Sequence, residues 1–192
     1  MCPLKPMNTY SQRRTTSGFT LLEVLIAIVV VAFGLLGLAG LQVFALKNNQ
    51  SASMRVAATN LTTDIIDRMK ANYIGVINNQ YNKPTTDLYT TVVGNCATSG
   101  CVPDDLARND LREWQQRVAA TLPGGIGIVC LDETPNTDAA PAPSAAWTPP
   151  ATNCDGNGGT AYVVKIYWYD DRNQMNAANP TTRKYMYTAF NP

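Results

Sequence analysis

The stretch that decides the fold is Gly18-Phe19-Thr20-Leu21-Leu22-Glu23, together with the charge-free apolar run that follows it over residues 24–46. The run is long enough to cross a bilayer as a helix, which takes roughly 20 residues. Placing the carboxylate of Glu23 near the end of such a segment costs up to about 2.5–3.5 kcal/mol on insertion scales. A membrane anchor does not need this carboxylate, so we expect Glu23 to have a partner.

Basic residues before the apolar run predict its orientation. Lys5, Arg13 and Arg14 precede Gly18, and no acidic residue accompanies them. By the positive-inside rule this leader lies in the cytoplasm, and everything after about residue 46 lies outside the cytoplasm. An ordinary secretory signal peptide is the competing interpretation. It fits poorly, because the run exceeds the usual apolar core of about 7–15 residues and no small-residue cleavage site closes it.

A second segment, residues 47–71, continues the helical pattern without proline or glycine. Its apolar residues recur on one side only, from Met54 to Tyr73, which predicts a single helix from about Thr20 to Ile74. The first half of this helix is apolar all round, whereas the second half is amphipathic. We therefore expect the first half to pack in a membrane or filament and the second half to pack on its own globular domain.

Turn signals divide the rest of the chain into one further helix and several strands. Gly75 and the asparagine-rich stretch after it are expected to end the long helix. A second helix is expected to start at Asp104, with Pro103-Asp104-Asp105 as its N-terminal signal, and to stop at Pro123. Alternating and β-branched residues predict strands over residues 88–93, 126–131, 161–169 and 183–190.

The predicted elements favour an α+β fold. The economical arrangement is a long amino-terminal helix packed on a small antiparallel sheet, with an additional short helix between them in sequence. Residues 134–150 are rich in proline, alanine and threonine and lack periodicity, so they predict an exposed loop.

Five cysteines are present, one of them in the basic leader. The other four form an even set, which is typical of disulfides in an oxidising compartment. Four cysteines allow three pairings. We favour Cys96 with Cys101, which closes a tight loop, and Cys130 with Cys154, which ties a strand end to the end of the proline-rich loop. A zinc site is the alternative, but the spacings are not CxxC and the chain has no histidine.

The composition also argues against catalysis. Without histidine there is no Ser-His-Asp or Cys-His nucleophile system, and no glycine-rich phosphate loop is present. The acid pairs at residues 104–105 and 170–171 lie beside turns or helix starts, where solvated acids are common. We expect no enzymatic activity, no cofactor and no metal.

The sequence Gly-Phe-Thr-Leu-Leu-Glu before an apolar helix resembles the processing site of type IV prepilins. The resemblance implies that a prepilin peptidase/methyltransferase cuts between Gly18 and Phe19 and that Phe19 becomes an N-methylated amino terminus. It also implies that Glu23, the fifth residue of the mature chain, docks to the cationic amino terminus of a neighbouring subunit, since such a pair suits an apolar filament core.

The same resemblance implies that the chain is divided into three parts. Residues 1–18 are a cytoplasmic leader that is removed, and residues 19–46 are the transmembrane and filament-core half of the helix. Residues 47–192 are a periplasmic globular domain.

Three later segments resemble the PilV family of minor pilins, also called type IV pilus modification proteins. They are residues 34–42, 67–72 and 122–130. The resemblance implies a structural protein that waits in the inner membrane and joins other minor pilins and the major pilin. The complex primes pilus assembly, and the protein ends at or near the pilus tip on the cell surface.

Other functions stay open on the sequence alone. A minor pseudopilin of a type II secretion system shares the leader, Glu23 and the helix. A tip-located ligand- or DNA-binding module is a different class, but basic residues after Lys47 are scattered among acids, so no nucleic acid is expected. Some pseudopilins bind calcium, and Asp155, Asn157 and Asp170 could supply oxygens, although Asp-Gly-Asn-Gly-Gly is more often a plain turn.

Overall fold

A computed structural model of the chain describes residues 18–85, 89, 96–133, 154, 161–170 and 183–191. It contains four helices, α1 (Leu21–Ala71), α2 (Tyr73–Ile77), α3 (Cys96–Ser99) and α4 (Pro103–Thr121), and three strands, β1 (Ile126–Leu131), β2 (Tyr162–Tyr169) and β3 (Arg183–Phe190). The chain divides into two compact units between Leu46 and Lys47.

Helix α1 is continuous over 51 residues, and its two halves differ in burial as predicted. Every side chain of the helix from residue 21 to residue 50 is exposed. Beyond that point one face is buried, with residues three or four positions apart on the side that meets the domain: Met54, Ala58, Leu61, Thr62, Ile65 and Met69. The prediction of a helix with an apolar first half and an amphipathic second half is confirmed.

The end of α1 differs from the prediction. The helix stops at Ala71, because Asn72 leaves the helical region with φ −110° and ψ 58°. Gly75 does not end the long helix; it lies buried inside the one-turn helix α2. A Cβ at Gly75 would come within 3.0 Å of the carbonyl oxygen of Pro103, so glycine is needed there for close packing of α2 on the start of α4.

The sheet is antiparallel throughout, with the strand order β1-β2-β3. Strands β1 and β3 have the predicted bounds, and β2 begins one residue later than predicted, at Tyr162. Strand β1 forms one edge of the sheet, and the backbone N–H of Lys83 donates to the carbonyl oxygen of Val129 in this strand at 2.8 Å. The chain that follows α2 therefore runs beside this edge.

The core lies where α4 and the second half of α1 meet the sheet. Trp114 of α4 is fully buried, and its indole N–H donates to the carbonyl oxygen of Leu61 at 2.8 Å. A Cβ at Gly127 of β1 would lie 2.5 Å from the Trp114 ring, so the ring rests directly on the strand backbone. Through these contacts α1, α4 and β1 pack against one another around one hydrophobic core.

Strand β2 is buried along its whole length. The burial includes Lys165, whose Nζ lies 2.6 Å from Oδ2 of Asp132, with both side chains almost completely enclosed. The hydroxyl of Tyr162 donates to the carbonyl oxygen of Val76 at 3.0 Å, and burial raises the pKa of Tyr162 to about 12. The central strand therefore carries polar groups that are paired inside the domain.

Several expectations fall outside the described residues. They are the loop at 134–150, the turn at 155–159, and the strand at 88–93 except for Tyr89, which is described and lies in no strand.

Candidate assembly site at the start of the long helix

The candidate site is the start of α1, where the structure places Gly18, Phe19 and Glu23. Gly18 and Phe19 precede the helix, and 82% of the Phe19 surface is exposed. A Cβ at Gly18 would meet nothing within 4 Å, so described residues leave the Gly18–Phe19 peptide bond open. Glu23 is the third residue of α1 and is also exposed.

Thr20 caps this helix. The backbone N–H of Glu23 donates to Oγ1 of Thr20 at 3.3 Å and to the carbonyl oxygen of Thr20 at 3.1 Å. Thr-x-x-Glu is the spacing of a capping box, and an acid in the first turn faces the positive end of the helix dipole. Glu23 therefore also takes part in the cap of its own helix. This role was not predicted from the sequence, although the spacing from Thr20 to Glu23 was the signal for it.

The helix surface that follows, over residues 24–46, carries no charge and is apolar except at Gln42. Its most hydrophobic 18-residue window has a mean hydropathy of 2.9, and none of that window is buried within the described structure. By length and composition α1 is able to cross a membrane. An apolar surface of this size is unfavourable in water, so it needs lipid or other protein around it.

Three glycines interrupt this surface. A Cβ at Gly34, Gly37 or Gly40 would meet nothing within 4 Å. Contacts within the described chain therefore do not require glycine at these positions.

Two family models match this part of the chain and the part that follows. The prokaryotic N-terminal methylation motif matches residues 13–39, and the model for type IV pilin Tt1218 matches residues 40–112. The two matches adjoin and together span 100 of the 192 residues. Over residues 13–112 the chain is therefore similar to type IV pilins and carries their N-terminal methylation motif. No curated protein and no solved structure shows a match to this chain.

This similarity accounts for the architecture and the broad role. The long amino-terminal helix, the three-stranded antiparallel sheet and the short helix α4 make up a pilin fold. Pilins are structural proteins, and the methylation motif implies processing by a prepilin peptidase, membrane anchoring through α1 and assembly with other pilins.

Two disulfides join cysteines within the described residues. Cys96 bonds to Cys101 across the short helix α3, with their Cα atoms 4.9 Å apart. Cys130 of β1 bonds to Cys154, with their Cα atoms 6.2 Å apart. Cys130 is fully buried beside Ile128, so this bond fastens Cys154 to the sheet.

A charged cluster joins the second half of α1 to α4. Arg68 lies at its centre, with Nη1 3.0 Å from Asp110 and 3.2 Å from Glu113, and with Nε 3.3 Å from Asp64. Burial alone would raise the pKa of Glu113, but the Asn109 amide and the Arg68 guanidinium outweigh burial and lower it.

This cluster continues to the end of α1 through neutral groups. The hydroxyl of Tyr81 donates to Oδ2 of Asp110 at 2.6 Å, and the amide of Asn72 donates to the Tyr81 oxygen at 3.3 Å and to the Pro103 carbonyl at 2.7 Å. Burial and the bond to Asp110 raise the pKa of Tyr81. The sequence reasoning missed this network, because Asp110 lies 42 positions from Arg68 and 29 from Tyr81.

The calcium alternative gains no support from the described residues. No group of three or more His, Cys, Asp or Glu side chains there could hold a metal ion. Asp155 and Asn157 lie outside the described part, and Asp170 accepts hydrogen bonds from Ser51 and Trp168, each at 3.2 Å.

Proposed function

We propose that this pilin is a minor pilin of the PilV type, which joins a minor-pilin complex that primes type IV pilus assembly and sits at or near the pilus tip. The observation that carries the proposal is the capped Thr20–Glu23 motif, followed directly by a helix half that is apolar and exposed on every side. Such a surface has no partner in its own unit and suits transfer from lipid into a bundle of like helices.

The processing steps follow from the motif. Residues 1–18 are the cytoplasmic leader, and the peptidase cuts the open bond between Gly18 and Phe19. Methylation of the new amine keeps it cationic. Residues 19–46 then anchor the chain in the inner membrane, and residues 47–192 form the periplasmic domain.

Glu23 supplies the docking charge. Its carboxylate lies exposed among apolar side chains, since Leu22 and Val24 are 67% and 49% exposed. In an apolar fibre core an unpaired carboxylate is costly, and removing one partner of a buried ion pair costs about 3–5 kcal/mol. The cationic amine of Phe19 on a neighbouring subunit is the matching group.

The three segments that resemble PilV support the narrower assignment. Residues 67–72 end α1 and contain Arg68 and Asn72, which take part in the polar network to α4. Residues 122–130 include Gly127, where the Trp114 ring leaves no room for a side chain. Both segments thus carry structural features on which this domain depends.

Mass spectrometry of the mature amino terminus tests the processing step. We expect the wild-type chain to begin at N-methyl-Phe19 and Gly18→Ala to remain uncut. Gly34→Ala, an exposed glycine in the same helix with open space around it, is the matched control and should be processed as wild type. An intact start in the wild type, or a cut after residue 39 or 40, would contradict the proposal.

Recovery of the chain in sheared surface fibres tests the assembly step. Glu23→Gln should be cut normally yet fall at least tenfold in the fibre fraction, because the docking charge is lost. Deletion of the gene should reduce the number of type IV pili. Normal pilus number with failure of type II secretion would instead identify a pseudopilin.

A further inference from the structure

We propose that the exposed face of α2, together with the start of α4, is a contact surface for a neighbouring pilin subunit. The surface consists of Tyr73, Ile74, Ile77 and Val102, which we call the α2 patch. These side chains are 56%, 54%, 55% and 62% exposed. The proposal rests on the proposed function, since the partner is another subunit of the same fibre.

The α2 patch concentrates apolar surface in one place. Three of its four residues lie in a helix of only five residues, and Val102 is the residue before Pro103, whose carbonyl faces Gly75 of α2. The other exposed large apolar residues described in this unit are Val56 on α1 and Tyr185 and Tyr187 on β3. Concentrated apolar surface on a folded domain marks an interaction site more often than single exposed residues do.

The opposite face of α2 is fixed to the domain. Val76 is buried, and its carbonyl oxygen accepts the hydroxyl of Tyr162 at 3.0 Å. Asn72 caps the first turn by accepting from the N–H of Gly75, and the Asn78 amide donates to Asp104 of α4 at 3.0 Å. The patch is therefore held in place before any partner arrives, which lowers the entropy lost on binding.

The size of the patch identifies the kind of partner. Four half-exposed side chains offer on the order of a few hundred Å², well below the roughly 800 Å² per partner of a free-standing complex. A contact this small is sufficient only when a second attachment holds the partner nearby and raises its effective concentration. The apolar half of α1 gives each pilin such an attachment, in the membrane and then in the fibre. The occupant is thus another anchored pilin.

Photo-cross-linking in piliated cells tests the contact in the full-length chain. A benzophenone amino acid replaces Ile77 in one strain and Tyr185 in another, since both sites are exposed on the same domain. We expect Ile77 to give a cross-linked peptide from a second pilin chain, at several times the yield from Tyr185. Cross-links from Ile77 to lipid, to a protein that is not a pilin, or at no higher yield than from Tyr185 would overturn the proposal.

A charged variant gives an independent readout. The double variant Ile74→Asp and Ile77→Asp should be processed at Gly18 as wild type but fall at least fivefold in the fibre fraction. Tyr185→Asp is the control and should be incorporated normally. Thermal melting of the detergent-solubilised full-length chains checks folding. If the double variant melts early, the cross-linking result alone decides.

The outcomes separate the two proposals. A wild-type chain that is never processed or never enters fibres overturns the proposed function and this inference together. A wild-type chain that is processed and incorporated, with a folded double variant that is incorporated equally well, overturns only the α2 patch.

Discussion

The two halves of α1 share one backbone but differ in where their partners lie. Residues 47–71 bury one face inside the domain, and Leu61 there accepts the indole N–H of Trp114. Residues 21–46 are exposed on all sides of their unit. The first set stabilises the fold and the second serves assembly, so substitutions in one half should leave the property of the other half unchanged.

The largest expected effect comes from substituting two aromatic residues by alanine. One residue contacts the second half of α1, and the other lies in the apolar half of α1. Trp114→Ala should lower the free energy of unfolding of the globular domain by about 3–5 kcal/mol, because a fully buried ring leaves a cavity against α1. Phe33→Ala, in the apolar half where Phe33 is 71% exposed, should leave it unchanged. Urea unfolding of the detergent-solubilised chains measures both, and similar effects from the two variants would refute the division.

A pair of glycine substitutions sharpens the same contrast. Gly127→Ala puts a Cβ 2.5 Å from the Trp114 ring and should cost about 1–3 kcal/mol through overpacking. Gly37→Ala meets nothing within 4 Å and gains about 1 kcal/mol of helix propensity. Thermal melting should therefore drop for Gly127→Ala only. An unchanged melting temperature for Gly127→Ala would show that the ring and strand separate easily.

The contact of Tyr162 with α2 predicts sensitivity to alkali. Burial raises the pKa of Tyr162 from 10.0 to about 12. Its stabilisation is therefore complete below about pH 10 and is lost as the pH rises through 12, with a loss on the order of 1 kcal/mol at pH 11. The unfolding free energy of Tyr162→Phe should change less between pH 9 and pH 11 than that of wild type. Tyr73→Phe, at an exposed site, is the control and should follow wild type.

The smallest expected effect concerns the ion pair between Arg68 and Glu113, which joins the second half of α1 to α4. Because the pKa of Glu113 is lowered from its ordinary 4.5, its contribution is present above that value and is lost as the pH falls through the folded pKa. The side chain is 43% exposed, so solvent limits the effect to a few tenths of a kcal/mol. Glu113→Gln should narrow the difference in unfolding free energy between pH 7 and pH 3. An equal difference in Glu113→Gln and in wild type would show that this ion pair does not contribute to the free energy of unfolding.

Local signals predicted much of the fold. Strands β1 and β3 and the start of α4 follow from nearby residues, such as Pro103 and the glycines before Ile126. The end of α1 was placed too late, because Asn72 leaves the helix while bonded to Pro103, 31 positions away in sequence. Sequence periodicity carries no information about such a contact.

The candidate site divides in the same way. Gly18, Phe19 and Glu23 lie within six consecutive residues, so the sequence alone presents this motif, and the spacing from Thr20 to Glu23 also indicates the cap. The α2 patch was not predictable. Tyr73 continues the apolar stripe of α1 in sequence, and only the break at Asn72 turns it outward.

The bond between Cys130 and Cys154 has a topological consequence. It makes the intervening chain a closed ring whose ends meet at the sheet. A protease that cuts within the ring leaves one covalent molecule, which separates into two pieces only after reduction. Lengthening the ring is also inexpensive, since each doubling of a loop costs only about 0.6 kcal/mol. Cleavage or lengthening of the chain between these two cysteines therefore leaves β1 covalently joined to Cys154, ahead of β2.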